Sequence, residues 1–286
     1  MTNLQTERPT EVAHPTIPRS EPESNRTPVR LWSSRKPLLG IGGVIGILVG
    51  WEVLSRTNVL PSTYFPPASD VLSTLMAQVS QTAFWNSVSL TLQGWLAGLL
   101  IAAVIGLILG VLCGSSKLIH DFFRITIELL RPIPPVILIP LAILLLGVNQ
   151  QLKVFLVTYG AVWPLLVQTI AGSQAMNAVT VEMTRSYRLT RFQLFKIRIM
   201  SASPYIATGF RISATIALIA AIVAEMVGGV PGLGGDILAA QNNNNETGMY
   251  ALILAVGIVG LIVNSVFQFV EGKVLFWDHS HRPKEG

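Results

Sequence analysis

Six predominantly apolar stretches, each near the length of a bilayer crossing, govern what this chain can become. They run Leu38 to Leu54, Ser87 to Cys113, about Phe122 to Leu146, Leu152 to Gly172, Tyr205 to Gly228 and Met249 to Val270. A hydrocarbon core about 30 Å thick takes about 20 residues of helix, and in lipid each backbone polar group must be satisfied within the segment itself. The expectation is therefore an all-α integral membrane protein of six transmembrane helices. Composition agrees: 51% of residues are hydrophobic and 12% charged, unlike water-soluble domains. The third stretch is the least regular. Glu128 and Arg131 precede Pro132, Pro134 and Pro135, and an internal proline removes a backbone bond and clashes with the turn before it. Such a break survives where protein or a cavity satisfies the freed carbonyls, so it should face the inside of the bundle.

Charge orients the spans. Arg30, Arg35 and Lys36 precede the first, Lys117 and Arg124 lie between the second and third, and a cationic segment joins the fourth to the fifth. Lys273, Arg282 and Lys284 follow the last. With alternating spans all of these fall on one side, leaving Arg56 and Lys153 beside Asp70, Asp236 and Glu246 on the other. The positive-inside rule then puts both termini in the cytosol, and the net charge of +5 reflects topology rather than affinity for nucleic acid. Residues 1–36, rich in Pro, Thr, Ser, Glu and Arg without apolar period, read as a disordered cytosolic tail. A six-helix membrane domain over 37–277 and a short cytosolic tail over 278–286 complete the organisation. Cys113, the only cysteine, allows no disulfide framework or thiolate metal site within one chain. Asp278, His279 and His281 read as a solvated tail rather than a metal site.

On the outer side, Ser69 or Asp70 could cap a short interfacial helix whose Val71, Leu72, Leu75, Met76 and Val79 share a face. The Gly- and Asn-rich stretch from Gly228 to Gly248 reads as a loop, either an external gate or a plain link. Gly42, Gly46 and Gly50 in the first span, and Gly94 with Gly98 and Gly106 with Gly110 in the second, have the spacing that lets helix backbones approach closely.

The segment about 174–203 carries the clearest functional pattern. Glu182, Met183, Thr184, Arg185, Arg188 and Arg191 lie within it, and the three arginines, spaced by three, form one broad helical flank. Such a segment can lie across a partner's groove with cations at its rim. It can also meet anionic lipid head groups, as basic cytosolic loops do.

Its order resembles the EAA loop of the permeases of bacterial ABC importers. Glu182 matches the acidic start, Met183 and Thr184 replace the two alanines, Arg188 stands where a glycine belongs, and the ending is degraded near Ile197 to Ser201. From about Leu60 to Trp277 the chain resembles the nitrate, sulfonate and taurine branch of these permeases. The motifs occur in family order: Leu60-Pro61 with Phe65-Pro66, Leu130-Arg131-Pro132-Ile133-Pro134-Pro135, Ile139-Pro140-Leu141-Ala142-Ile143, Ser203-Pro204-Tyr205-Ile206, Gly209-Phe210-Arg211-Ile212, Ala224-Glu225-Met226 and Gly232-Leu233-Gly234.

The resemblance implies a six-helix, type I importer-like permease fold in a bacterial cytoplasmic membrane. It implies a second permease copy or a related permease, two cytosolic ATPase subunits gripping Glu182 to Arg191, and an extracytoplasmic binding protein that delivers a small solute by alternating access. It points first to an oxyanion such as nitrate, taurine or an alkanesulfonate, and alternatively to a neutral heterocycle. No catalysis and no cofactor are expected in this chain, with ATP and Mg bound by the partner ATPase. The sequence has no Gly-x-x-x-x-Gly-Lys-Ser/Thr loop. Candidates for the translocation path are Arg131, Pro132, Pro134, Pro135, Arg211 and Glu225, because polar groups in spans are expensive unless they face a cavity or partner. Long cations near an interface can instead snorkel. A secondary transporter is the rival class, and it would need coupling-ion residues on repeated broken helices.

Overall fold

The computed structural model describes residues 36–175 and 190–274, apart from Asn58, Leu60 and Ser62, together with Ser186 and Tyr187. The chain divides into a first unit ending at Ile47 and a second from Leu48 onward, and the packing below belongs to the second. Glu182, Met183, Thr184, Arg185 and Arg188, and residues 1–35 and 275–286, lie outside the described residues.

Nine α-helices are described: α1 (Lys36–Arg56), α2 (Ala68–Val79), α3 (Thr82–Ser115), α4 (Lys117–Leu130), α5 (Ile139–Leu146), α6 (Gln150–Gln174), α7 (Arg191–Gly228), α8 (Leu233–Asn242) and α9 (Glu246–Val274). Among the described residues, Thr82–Ser115, Gln150–Gln174, Ile199–Gly228 and Glu246–Lys273 are each long and apolar enough to cross a membrane. A fifth crossing is broken: Lys117–Leu130 and Pro135–Leu146 meet at 83°, at the proline cluster. The 21 residues of α1 correspond to the remaining expected span.

The break is built as lipid requires. A 3-10 turn over Pro135–Leu138 links the two arms, and the Tyr159 hydroxyl of α6 donates to the Leu130 carbonyl at 2.7 Å. A carbonyl left without its helical partner is thereby satisfied by a neighbouring helix.

At the heart of the bundle α6 lies between α3 and α7. Five glycines of α3 repeat every four residues, with Ala102 completing the series, and each faces a residue of α6 that repeats at the same interval. Gly94 meets Lys153, Gly98 meets Val157, Gly106 meets Leu165, Gly110 meets Thr169 and Gly114 meets Ser173. The constant offset makes α3 and α6 parallel, as two spans separated by one crossing must be. The stripe is one continuous ladder rather than two separate pairs. Backbones approach closely enough for Thr158 Oγ1 to donate to the Gly98 carbonyl at 3.2 Å. On the other side of α6, Ser213 of α7 donates to the Ala161 carbonyl at 2.7 Å, and Ala214, Ala217, Ala220 and Ala221 continue the small-residue contact. Gly50 of α1, by contrast, has open space where a Cβ would stand.

At one end of the bundle α2 and α8 join the ends of α3 and α9. Val71, Leu75, Phe84, Val88, Leu233, Ile237, Ala251 and Leu252 bury together there. The expected α2 is present, but neither Ser69 nor Asp70 caps it: Pro67 is the N-cap. The carboxylate of Glu52 does the work from α1, accepting the Ser69 N–H at 3.0 Å and the Ser69 hydroxyl at 3.0 Å. A negative group there also complements the helix dipole. Within the Gly- and Asn-rich stretch expected as a loop, Leu233–Asn242 forms helix α8. Glycine disfavours helix by about 1 kcal/mol per residue, but burial of Leu233 and Ile237 and a borrowed cap offset that cost. The fifth span also differs from expectation, because α7 starts at Arg191 and runs unbroken through Pro204. A capping box of Thr190 with Gln193 sets its start.

Candidate functional site

Two constellations stand out: a cavity at the broken span and a buried ionic network at the α2/α8 end.

The cavity, about 400 Å³, is lined by Arg131, Pro132, Pro134 and Pro135 from the break, by Gly160, Trp163, Pro164, Val167 and Gln168 from α6, and by Ile212 and Ile216 from α7. Gly160 lets Pro135 close in on α6, with only 3.1 Å between its potential Cβ and the proline ring. Arg131 supplies a guanidinium with no carboxylate within salt-bridge distance among the described residues. Gln168 adds an amide, and the indole N–H of Trp163 is buried without a partner. A second cavity of about 170 Å³ shares Pro135 and Ile216 and is otherwise aliphatic, with Val136, Ile139, Leu156, Ile219, Ala220 and Val223. Together they offer a donor-bearing chamber beside an apolar constriction, a pairing that can hold a small polar solute and restrict its passage.

Four of the six residues expected on a path thus share one cavity. The other two sit elsewhere. Arg211 pairs with Glu271 of α9 at 3.4 Å. Glu225 has no exposed side-chain surface and pairs with Lys153 at 2.7 Å.

Lys153 corrects an expectation, since it read as a charge in an outer connector. It lies in the first turn of α6 and is fully buried. Its ammonium also donates to the carbonyls of Leu90 at 3.1 Å and Pro231 at 2.9 Å. Glu225 Oε2 accepts from the Thr91 hydroxyl at 3.0 Å and from Gly234 N–H at 2.8 Å, while Thr91 Oγ1 accepts from Leu233 N–H at 3.0 Å. Glu225 and Thr91 are therefore the cap of α8, which has none of its own. Burying opposite charges this way is tolerable because each is paired and hydrogen-bonded.

The sequence pattern does not single out Trp163 and Gln168, and it places Lys153 in an outer connector. A signal existed for the first two, since Pro164 puts a second helix-breaking residue opposite the proline cluster. Nothing local marks Lys153 as buried. Arg191 opens α7. Among the described residues no group of three His, Cys, Asp or Glu side chains could hold a metal ion.

Comparison with known proteins decides the class. Residues 102–275 match the family described as binding-protein-dependent transport system inner membrane component. The chain belongs to this family. It is therefore a transport permease of an ABC importer, a multi-pass inner-membrane component that works with ATPase and binding-protein partners. The nitrate import permease protein NrtB of Leptolyngbya laminosa is 30% identical to this permease over 196 residues, covering 68% of this chain and 70% of that protein. The bicarbonate transport system permease protein CmpB of Synechocystis sp. strain PCC 6803 is 28% identical over 258 residues, covering 85% and 91%. Among solved structures, the MetNI methionine ABC transporter in an inward-facing conformation matches with a TM-score of 0.59 at 19% identity, over 67% of this permease and 96% of that chain. That likeness shows the type I importer permease fold, as the sequence resemblance implied.

Proposed function

We propose that this permease imports a small oxyanion, of the nitrate, bicarbonate, taurine or alkanesulfonate kind, by alternating access driven by partner ATPases. The observation that carries the substrate reading is the cavity at the broken span, where Arg131 and Gln168 supply donors and no carboxylate among the described residues lines the wall. A guanidinium suits an oxyanion because its planar fork matches two oxygens at once. Both termini lie in the cytosol in this reading, the α2/α8 end is external, and the path runs along the faces of α6 and α7. Arg211 and Glu225 brace the walls from their ion pairs. Arg131→Ala is expected to lower uptake by about tenfold to a hundredfold while leaving assembly intact, in line with loss of one charge-assisted hydrogen bond of about 1.5–3 kcal/mol. Radiolabelled-anion uptake by the reconstituted complex measures it, and unchanged uptake would remove Arg131 from the path.

The permease segment over 182–191 is the grip for the ATPases. An acidic start followed by Arg185, Arg188 and Arg191 supports that role, as does the helix that Thr190 initiates directly after it. Reversing two charges with Glu182→Lys and Arg185→Glu is expected to abolish co-purification of the ATPase subunits, while protease mapping still finds the bundle inserted. Retention of the complex after detergent extraction of that variant would contradict the docking role.

A further inference from the structure

The Lys153–Glu225 pair has more connections than joining two helices requires. An ion pair inside membrane helices is costly, and elsewhere such pairs can be replaced by apolar residues of similar volume without loss of stability. Stability alone therefore does not account for it. What the charges add is direction, because the remaining hydrogen-bonding capacity of both groups is spent on the turn into α8 and on α3. Lys153 holds the carbonyl of Pro231, and Glu225 holds the amide of Gly234. The turn is pressed onto the carboxylate: Gly232 has φ +152°, and a Cβ there would overlap the Glu225 carboxyl group. The helices bearing the pair, α6 and α7, also wall the cavity through Trp163, Gln168, Ile212 and Ile216.

We propose that Lys153 and Glu225 are positioning residues of the import cycle, tying the external helix α8 to both path-lining helices. Engagement of the binding protein at the α2/α8 end is thereby passed to the cavity. The inference rests on the permease orientation given above. A hydrogen-bonded ionic joint suits this task because its bonds are directional, so a shift of α8 must move α6 and α7 or break them. An aliphatic contact can slide.

The test uses the full complex of permease, ATPase subunits and binding protein in proteoliposomes. K153M/E225L removes both charges while keeping bulk, so no unpaired ion remains. We expect this double variant to assemble and to hydrolyse ATP without binding protein within about twofold of the unaltered complex. Stimulation by binding protein carrying nitrate, bicarbonate or taurine, whichever stimulates the unaltered complex, should fall by about tenfold or more. The charge exchange K153E/E225K restores a pair but turns an acceptor toward the Pro231 carbonyl and a donor toward the Gly234 amide, so it should not rescue stimulation. Full stimulation in the double variant would overturn the proposal. So would equal loss of basal and stimulated rates, or failure to assemble, since each assigns the pair to scaffolding alone. Absence of ATP-linked uptake in the unaltered complex would instead reject the permease reading, and that control separates the two failures.

Discussion

Lys153→Met on its own is expected to destabilise the permease by about 3–5 kcal/mol, because it leaves the Glu225 carboxylate buried without its counter-ion. Met matches the lysine stem in length, so packing against Gly94 changes little and the loss is electrostatic. The carboxylate keeps the Thr91 hydroxyl and the Gly234 amide, which do not replace a cation at 2.7 Å. The Pro231 carbonyl loses its donor as well, and a carbonyl left buried without a donor adds to the cost, whereas the Leu90 carbonyl keeps the Gln150 amide at 3.2 Å. Thermal unfolding of detergent-purified protein should show a large drop in midpoint, and the yield of inserted protein should fall. The double substitution K153M/E225L should recover much of that loss. An unchanged midpoint for Lys153→Met would mean that the pair is not buried as described.

Gly98→Leu is expected to be comparably damaging for a steric reason. A Cβ at Gly98 would stand 2.5 Å from Val157 Cγ1 and 3.0 Å from the Val154 carbonyl, and a whole leucine side chain has nowhere to go. The helices must separate, breaking the Thr158 to Gly98 bond and opening the ladder on either side. Overpacking costs about 1–3 kcal/mol in soluble cores. A bilayer offers less compensation, because close packing itself drives helix association there. Gly257→Leu is the control, since nothing stands within 4 Å of a Cβ at that site. Unfolding midpoints of the two variants should diverge widely, and equal midpoints would contradict the ladder as the joint between α3 and α6.

The spans were legible because a bilayer imposes a length and a polarity that a one-dimensional scan can read. The proline break was legible for the same reason, and its 83° bend follows from the loss of backbone bonds at consecutive prolines. What escaped the sequence depends on partners far along the chain. Lys153 looked like a connector charge because its counter-ion, Glu225, lies on another helix. Leu233–Asn242 looked like a loop because its glycines argue against helix, whereas its cap arrives from Glu225 and Thr91. The start of α7 was missed because Pro204 suggested a boundary, yet a proline inside a long packed helix can be carried where neighbours satisfy the freed group. The cavity was half legible. The prolines and Arg131 marked it, but Trp163 and Gln168 join them only through the packing of α6.

Under the proposed function, this permease moves solute only when soluble ATPases drive it. Uptake of labelled nitrate, bicarbonate or taurine into proteoliposomes, with and without the ATPase subunits and ATP, tests it most directly. The expected result is accumulation of one of these anions that requires ATP, the ATPase subunits and the loaded binding protein together. Accumulation by the permease alone, sustained by an ion gradient, would contradict it.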